Sequence, residues 1–371
     1  MGNIPTGVRG PLQIAPPPPE PSNNFQDLVG VGEVDSDFEP AEDDSAAVDS
    51  SLTEPNSFTI PVDVLRYYES IARPEPKSLE SLSAYEQLET LRVREVLARY
   101  VNRQVGYDGV ARSSRRPTGS SGAFLDIGCG NGAHGVFVAL LCSHLDVILV
   151  DPCERNVAIA QNLVDDKREA LGSRAVVKHG DGIHMPRVSE SAQFVLLHGA
   201  AGLQHLTRRD ARRRVLVEAW RVLVPGGTLF AVCMSRFAML MSTLFSDAVM
   251  DDVVQSSALV AELEHGQHVP RDHQSGGNRA GDNPPSASQF TSCFTYKPNQ
   301  LRAEVMDAGF EVVSMIAIEG PMWLLQDLQD GWHEHDRRAF LLQILRRLES
   351  EPSLLGMSAH FVVVARKPGG S

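Results

Sequence analysis

The 371-residue sequence predicts an α/β fold built around a mainly parallel β-sheet. Short apolar segments alternate with amphipathic helical segments from residue 123 onward, which is the pattern of parallel strands joined by right-handed helical crossovers. The first strand runs directly into the glycine-rich loop LDIGCGNGAHG at residues 125–135, a turn that lets a ligand approach the backbone closely. The hydrophobic content of 42% is sufficient for a full-sized core.

Residues 1–57 differ in composition from the rest of the chain. They contain a four-proline run and eleven acidic residues against one basic residue, Arg9. Such a segment cannot bury enough apolar surface to offset its ordering entropy, so we expect it to be disordered. Its start, MGNIPT, fits the pattern for N-myristoylation at Gly2. We favour a chance match, because one acyl chain binds membranes only marginally and the acidic stretch would repel anionic lipid.

The charge and the cysteine content bear on partners and location. The net charge is −13, but residues 58–371 carry 36 acidic and 33 basic side chains and are therefore nearly neutral. A basic surface for nucleic acid is not expected from this balance. Five scattered cysteines without a C-x-x-C pair favour a reducing compartment, and no secretory or membrane-spanning segment is evident. We predict a cytoplasmic protein with no nucleic-acid or membrane partner.

Two helices are expected before the first strand. PVDVLRYYESIA begins with proline at a favoured first-turn position and has apolar residues at helical spacing. A longer helix follows in SAYEQLETLRVREVLARYV, and the Gly/Ser/Arg-rich segment 106–122 ends it. We expect residues 58–122 to form an N-terminal helical cap with its linker, and residues 123–371 to form the main domain.

Seven segments of the main domain have the apolar, β-branched composition of strands. They are AFLDI (123–127), DVILV (146–150), RAVVK (174–178), QFVLL (193–197), TLFAVC (228–233), EVVSMIAI (311–318) and HFVVVAR (360–366). The expected helices between them include VAIAQNLVDD, RRRVLVEAWRVL, FAMLMSTLFSDAVM, NQLRAEVMDAG and DRRAFLLQILRRLES. The Gly/Pro/Asn/His-rich stretch 265–289 is expected to be a mobile loop, and residues 234–300 to form a second part of the cap.

The glycine-rich loop is compatible with more than one ligand. GNGAHG at 130–135 fits the G-x-G-x-x-G pattern of dinucleotide sites, so an NAD(P)-dependent oxidoreductase is an open alternative. Acidic residues also end three strands, at Asp126, Asp151 and Asp181, and the last two strands look like an antiparallel pair. Three carboxylates along one sheet edge suit a cationic, phosphate-free nucleoside better than a pyrophosphate. S-adenosylmethionine (SAM) is such a ligand.

With these features the sequence resembles class I SAM-dependent methyltransferases over residues 58–371. The similar motifs are LDIGCGNG, VILVDP, HGDGIHMP, VLLHGAAGLQHL and WRVLVPGGTLF. A finer resemblance, through segments such as RYYE, SRFAML and EPSLLGMSAH, is to a methyltransferase type 11/25-like, small-molecule subgroup. The resemblance implies a seven-stranded Rossmann-like sheet and SAM as the cofactor. The fourth-strand exit is longer than the family pattern and residues 271–288 look like an insertion, which leaves the identity of the acceptor open.

The resemblance assigns cofactor contacts to particular residues. Asp126 is expected to bind the methionine amino group, Asp151 to hold both ribose hydroxyls, and Asp181 to accept from the adenine amino group. Each carboxylate also has a structural alternative, as a helix N-cap, a solvated strand end or a turn residue. The full predicted set is Asp126, Gly128, Gly130, Gly132, Asp151, Pro152, Asp181, Gly182, Ile183 and His198.

Methyl transfer needs an acceptor nucleophile held in line with the activated methyl group at about 3 Å, with water excluded. Removal of a proton is needed only for some acceptors, so no acid–base group is obligatory. The predicted acceptor-side residues are His205, His198, Arg236 and Tyr68, with Tyr67, Glu319 and Trp323 as further candidates. A structural role is the alternative for the histidines, and helix packing is favoured for the tyrosines.

No metal site is predicted. WHEHD at 332–336 has two histidines that do not share a helix face, and no third ligand is evident. We predict a SAM-dependent methyltransferase whose acceptor is a small organic molecule, methylated on O, N or C. The alternatives are the oxidoreductase, a SAM-binding scaffold protein without catalysis and a macromolecular acceptor. The sequence does not indicate an oligomeric state.

Overall fold

The structure, a computed structural model, describes residues 60–74, 79–105, 122–244, 253–268 and 291–369. The predicted disordered tail 1–57, with Gly2, and the predicted insertion 271–288 lie outside the described residues. The described strands are β1 Gly122–Ile127, β2 Leu145–Asp151, β3 Ala175–His179, β4 Ala192–Leu197, β5 Leu223–Met234, β6 Gln267–His268, β7 Cys293–Phe294, β8 Glu311–Ala317 and β9 His360–Arg366.

Seven of these strands form one sheet in the order β3-β2-β1-β4-β5-β9-β8, which confirms the predicted seven-stranded Rossmann-like fold. Strands β1 to β5 run parallel, and β9 lies antiparallel between β5 and β8. The carboxyl ends of the parallel strands therefore share one edge of the sheet. Because β9 runs the other way, it begins at that same edge, where His360 pairs with Met234.

Helices cover both faces of the sheet, as expected when parallel strands are joined by helical crossovers. Short 3₁₀ turns also occur at Leu79–Ser81, Gly199–Ala201, Leu203–His205, Gly320–Leu324 and Leu355–Met357. The helices are α1 Val62–Ile71, α2 Ala84–Val105, α3 Ala133–Leu141, α4 Glu154–Asp166, α5 Arg168–Leu171, α6 Arg209–Val222, α7 Arg236–Leu244, α8 Val253–His265, α9 Pro298–Asp307, α10 Leu328–Trp332 and α11 His335–Leu348.

The alternation of side chains along β1 divides the core between the two faces. All six residues of β1 are buried. Leu125 and Ile127 belong to a core cluster that includes residues of α1, α6 and α9. Phe124, which points to the other face, belongs to a cluster with residues of α2 and α3. The two N-terminal helices thus pack on opposite faces of the sheet, and both reach its carboxyl edge.

The structure departs from the sequence-based expectation in two places. Strand β5 begins at Leu223 instead of Thr228, because Leu223 already pairs with Ala192 before a register shift near the Pro-Gly-Gly turn. The start of the expected mobile loop is ordered, since Gln267 and His268 pair antiparallel with Phe294 and Cys293. No helix within the described residues has the length and the hydropathy needed to cross a bilayer.

Candidate active site

The glycine-rich loop after β1 lies at the carboxyl edge of the sheet and forms one side of the candidate site. Gly128, Gly130 and Gly132 all have positive φ angles, of 82°, 56° and 84°. At Gly128 a Cβ atom would lie only 1.8 Å from the carbonyl oxygen of His198, so no side chain fits there. At Gly130 no described atom lies within 4 Å of such a Cβ, so that side of the loop is open within the part of the chain that the structure describes. The loop therefore packs tightly on the β4 exit and leaves room for a ligand at Gly130.

Asp126, at the end of β1, carries a buried carboxylate that is only half satisfied. Its Oδ1 accepts a hydrogen bond of 2.8 Å from His198 Nε2. Its Oδ2 is buried and has no hydrogen-bond partner among the residues that the structure describes. A buried polar atom without a partner is costly, so this oxygen is suited to a donor group that a ligand brings. An ammonium group fits this requirement.

His198 completes this pair and its protonation depends on the surrounding carboxylates. Burial alone would lower the pKa of His198, but the charges of Asp126, Asp151 and Glu89 outweigh burial and raise it. The His134 ring on α3 stands edge-on to the His198 ring, 5.4 Å away. Burial and the nearby His198 hold the pKa of His134 well below its usual value, so one imidazole of the pair is neutral. Sequence reasoning missed His134 within the glycine motif.

Asp151, at the end of β2, is fully buried and already bonded by the protein. Its Oδ2 accepts from the backbone N–H of Gly130 at 2.8 Å. Its Oδ1 accepts from Cys153 N–H at 2.9 Å and from Asn156 Nδ2 at 3.2 Å. Burial raises the pKa of this carboxyl despite these bonds. Asp151 thus ties the glycine loop to β2, a role that the sequence did not predict.

Asp181 has the geometry of a turn residue with one oxygen to spare. Its Oδ1 accepts from the backbone N–H groups of Ile183 and His184, at 3.0 and 3.2 Å. No bond from a described residue reaches its Oδ2. Gly182 faces Val215 and the carbonyl oxygen of Ala201. Beside β2, Pro152 accepts from His179 Nε2 at 2.9 Å.

Tyr68 and His205 form a hydrogen-bonded pair between α1 and the β4 exit. Tyr68 Oη and His205 Nε2 are 2.8 Å apart, and His205 Nδ1 lies 3.3 Å from the carbonyl oxygen of Ser292. The carbonyl requires the proton on Nδ1, so Nε2 accepts from the tyrosine hydroxyl. Burial lowers the pKa of His205 to about 4 and raises that of Tyr68 well above its usual value. At neutral pH both members of the pair are uncharged.

Arg236 does not have the acceptor-facing position that the sequence predicted. Its side chain is buried, and its guanidinium donates to the carbonyl oxygens of Leu263, Glu264 and Thr295. It also donates to the side chain of Gln300 at 2.9 Å. These bonds join α7 to α8 and to the chain after β7. The expectation that Arg236 faces the acceptor is therefore corrected. Because its N–H groups donate to carbonyl oxygens of the protein, Arg236 stabilises the packing of these segments.

A second group of ionisable side chains lies at the same sheet edge. Glu319, after β8, accepts 2.8 Å bonds from His360 Nδ1 and from the His360 backbone N–H. Glu89 on α2 has a carboxylate oxygen 3.9 Å from the same Nδ1. Glu319 and Glu89 raise the pKa of His360 to about 9, although burial opposes this. Glu89 and His198 also shift each other's pKa, so this group adjoins the Asp126–His198 pair.

Apolar side chains line the same end of the sheet. Trp323, a candidate from the sequence, is buried with Met234 and Ala359, and its Nε1 donates to Met357 at 2.8 Å. Tyr85 packs against this cluster, and burial raises its pKa with help from Glu319 and Glu89. The site thus has a polar side at Asp126 and an apolar side near Trp323.

Comparisons with known proteins address the family. Residues 124–227 match the family model of a methyltransferase domain. No curated protein matches the chain in sequence. The domain match favours methyl transfer over the nicotinamide-dependent alternative.

Three solved structures are among those similar to this chain. A putative sarcosine dimethylglycine methyltransferase from Galdieria sulphuraria is 15% identical, with a TM-score of 0.44, and the match covers 82% of this chain and 98% of that one. The [4+2]-cyclase SpnF is 16% identical, at 0.43, covering 83% and 94%. A geranyl diphosphate C-methyltransferase from Streptomyces coelicolor A3(2) is 12% identical, at 0.42, covering 82% and 97%. At these values the likenesses say nothing about the acceptor.

The sheet order, the glycine loop and the domain match therefore agree. Residues 124–227 are thus identified as a methyltransferase domain, set within a seven-stranded Rossmann-like sheet.

Proposed function

We propose that the protein transfers the methyl group of SAM to a small organic acceptor, on O, N or C. The observation that carries this proposal is the buried Oδ2 of Asp126, which lies at the glycine loop and has no hydrogen-bond partner within the described ranges. An ammonium group would satisfy this oxygen, and SAM has one on its methionine moiety. A dinucleotide pyrophosphate would instead place negative charge beside this carboxylate.

The remaining predicted contacts are assigned on the same basis. The glycine loop lets the cofactor approach the backbone, and the open side of Gly130 gives it room. The unbonded Oδ2 of Asp181 receives the adenine amino group, with Ile183 against the ring and with Pro152 and Gly182 beside it. Asp151 keeps acceptor capacity at Oδ2, which holds one bond, from Gly130. Because Asp151 is fully buried, however, the loop at Gly130 must shift before its carboxylate can reach the ribose hydroxyls.

The reaction is a displacement at carbon. Bound SAM would supply an activated methyl group: an electron pair of the acceptor, a lone pair on O or N or the nucleophilic pair of a carbon, would form the new bond while the pair of the broken carbon–sulfur bond stays on sulfur. The chain's contribution is to hold the acceptor in line and to exclude water. Tyr68 is fixed by its bond to the neutral His205, so its hydroxyl oxygen is oriented to accept a hydrogen bond from the acceptor.

His205 is then a positioning residue and not a general base. A group with a pKa of about 4 is a poor proton acceptor at neutral pH. His198, which donates to Asp126, holds that carboxylate for the cofactor. The helices α1 and α2, together with the described residues 234–244, 253–268 and 291–300, form the proposed cap, since Tyr68 and Glu89 reach the site from α1 and α2.

A small acceptor and a cytoplasmic location are supported by composition. The nearly neutral residues 58–371 have no excess of basic side chains that would bind nucleic acid. All five cysteines are free and buried, which fits a reducing compartment.

The cofactor assignment is tested by calorimetry with SAM. Asp126→Asn removes the charge that would hold the ammonium group, a bond worth ~1.5–3 kcal/mol, so SAM affinity should fall by about one to two decades. Asp146→Asn, which changes an aspartate near the amino end of β2, should leave the affinity unchanged. Equal affinity of wild type and Asp126→Asn would remove Asp126 from the cofactor site.

Turnover tests the acceptor class. A cell extract is separated by dialysis into small molecules and macromolecules, and formation of S-adenosylhomocysteine is measured with each. We expect product with the small molecules. Product with the macromolecules alone would make the acceptor a macromolecule, and SAM binding without product from either would identify a scaffold protein.

A further inference from the structure

We propose that Glu89, Glu319 and His360 form a binding site for one divalent transition-metal ion. Each residue offers one ligand atom, and the three atoms lie within 4.8 Å of one another. The residues come from three separate parts of the chain: α2, the segment after β8 and the first position of β9. Two carboxylates and one imidazole suit Mn²⁺, Fe²⁺ or Zn²⁺.

The contacts around Glu319 are those of a prepared ligand. Ser358 Oγ donates to Glu319 Oε2 at 2.9 Å, and the backbone N–H of His360 donates to the same oxygen at 2.8 Å. These bonds leave Oε1 directed at His360 Nδ1, 2.8 Å away. Hydrogen-bonded partners behind a ligating carboxylate fix its direction and are typical of metal sites.

The surroundings of the Glu89 carboxylate favour a bound cation. Its carboxylate accepts no hydrogen bond from any residue that the structure describes, and its nearest charged contact is His360 Nδ1 at 3.9 Å. It stands near a second carboxylate, that of Glu319, and both carboxylates face the imidazole of His360. Two carboxylates that share one imidazole lack a full counter-charge. A divalent ion in place of the Nδ1 proton would bond to all three groups.

The position of this group indicates an open site. Three protein ligands leave coordination positions for water or another molecule, as in catalytic metal sites. The Glu89 side chain is 37% exposed, so an ion can enter from solvent. Glu89 is also close enough to His198, beside the proposed cofactor region, for their charges to interact. The proposal concerns the same end of the sheet as the proposed methyl transfer, but ion binding itself does not depend on that function.

The test is titration of the chelator-treated full chain with Mn²⁺ in the absence of SAM, followed by calorimetry and electron paramagnetic resonance. We expect one bound ion per chain. Glu89→Gln should weaken binding at least tenfold, since changes even behind metal ligands cost about 10–100-fold. The matched control is Glu262→Gln, because Glu262 contacts His268 Nδ1 at a similar 2.9 Å but this pair has no third candidate ligand beside it among the described residues. That variant should bind Mn²⁺ within about twofold of wild type.

The result is decisive in either direction. No Mn²⁺ binding by the wild type, or equal binding by wild type and Glu89→Gln, would overturn the proposal and leave Glu319–His360 as an ion pair. Should Glu89→Gln fail to fold, Glu89→Asp withdraws the same carboxylate by one methylene and must also weaken binding. SAM affinity, measured separately, reports on the methyltransferase proposal alone.

Discussion

At the scale of single residues, Gly128 is the position with the least freedom. A Cβ there would meet the His198 carbonyl oxygen at 1.8 Å, and φ is 82°. Gly128→Ala should destabilise the fold by more than the ~1–3 kcal/mol of backbone strain alone and should weaken SAM binding. Gly226→Ala is the control, since its φ is 80° but nothing lies within 4 Å. Urea unfolding of both variants gives the cost of the steric overlap with His198 as the difference between their losses of stability. Equal losses of stability would mean that the loop at Gly128 moves to accommodate the methyl group.

His205 makes a testable contribution to the pH dependence of stability. Its pKa is about 4 in the folded protein, below its ordinary value of about 6.5 when unfolded. Between these values the unfolded state binds a proton that the folded state does not. The free energy of unfolding should therefore fall by about 3 kcal/mol as pH decreases from about 6.5 to about 4, and the loss should be absent above that window.

Comparison of variants separates His205 from other acid-sensitive groups. His205→Gln removes the titrating group, so its stability should decline less steeply than that of wild type over the same pH range. His184→Gln, at an exposed histidine, should follow wild type. Urea unfolding at several pH values gives the difference. Parallel curves for wild type and His205→Gln would contradict the lowered pKa.

Residue roles were predictable from sequence only where a motif fixes the backbone. Asp126 and the three glycines occupy the strand end and the turn that the motif specifies, so their positions followed from local pattern. Arg236 also follows a strand, but its direction depends on α8 and on Thr295, which are distant in sequence. No local signal could indicate that carbonyl groups there would consume its donors.

At the scale of elements, the contact between α6 and α9 contains two ion pairs with different surroundings. Arg212 and Glu304 are bidentate, at 3.0 and 2.7 Å, and are 3% and 7% exposed. Glu304→Gln leaves a buried arginine without its counter-charge and should cost about 3–5 kcal/mol. Asp307→Asn breaks the exposed pair with Arg209 between the same helices and should cost at most ~1 kcal/mol. Thermal and urea unfolding give the loss of stability in each variant. Similar losses for Glu304→Gln and Asp307→Asn would contradict the idea that burial makes the Arg212–Glu304 pair more important.

Elements with strong periodicity were predictable, and short ones were not. All seven sheet strands correspond to apolar segments recognised in the sequence. The 3₁₀ turn Gly320–Leu324 and the short α10 carry too few residues for a periodic pattern. The pairing of Gln267–His268 with Cys293–Phe294 depends on a partner beyond the loop, which composition alone could not reveal.

At the scale of the whole molecule, cofactor binding should be visible as thermal stabilisation. A ligand that binds only the folded state adds ~2.7 kcal/mol at a hundred times its Kd. SAM should therefore raise the melting temperature by several degrees, while NAD at the same concentration should leave it unchanged. Differential scanning fluorimetry measures both. A rise with NAD and none with SAM would reinstate the oxidoreductase interpretation.

The candidate metal ligands show what a whole-molecule view adds. Glu89, Glu319 and His360 are far apart in sequence, and only Glu319 was singled out beforehand. The usable signal was topological: an antiparallel strand begins at the edge where its parallel neighbours end. The sequence indicated an antiparallel pair of last strands but not that β9 is the one beside β5, and only that placement brings the polar residue at its start to the site.

The place of β9 in the sheet also governs the order in which the protein can assemble during synthesis. Within the described residues, β8 pairs with β9 alone, and β9 fills the gap beside β5. A nascent chain that already exposes β8 has no partner for it until residues 360–366 leave the ribosome. Until then β5 presents an unpaired, buried-type edge, rich in Leu, Phe, Ala and Val, to solvent and to other chains. Of the seven strands of this sheet, the last in chain order is thus the one that joins β8 to β5 and brings His360 to the site, and a shorter nascent chain leaves the edge of β5 open to pairing with other chains.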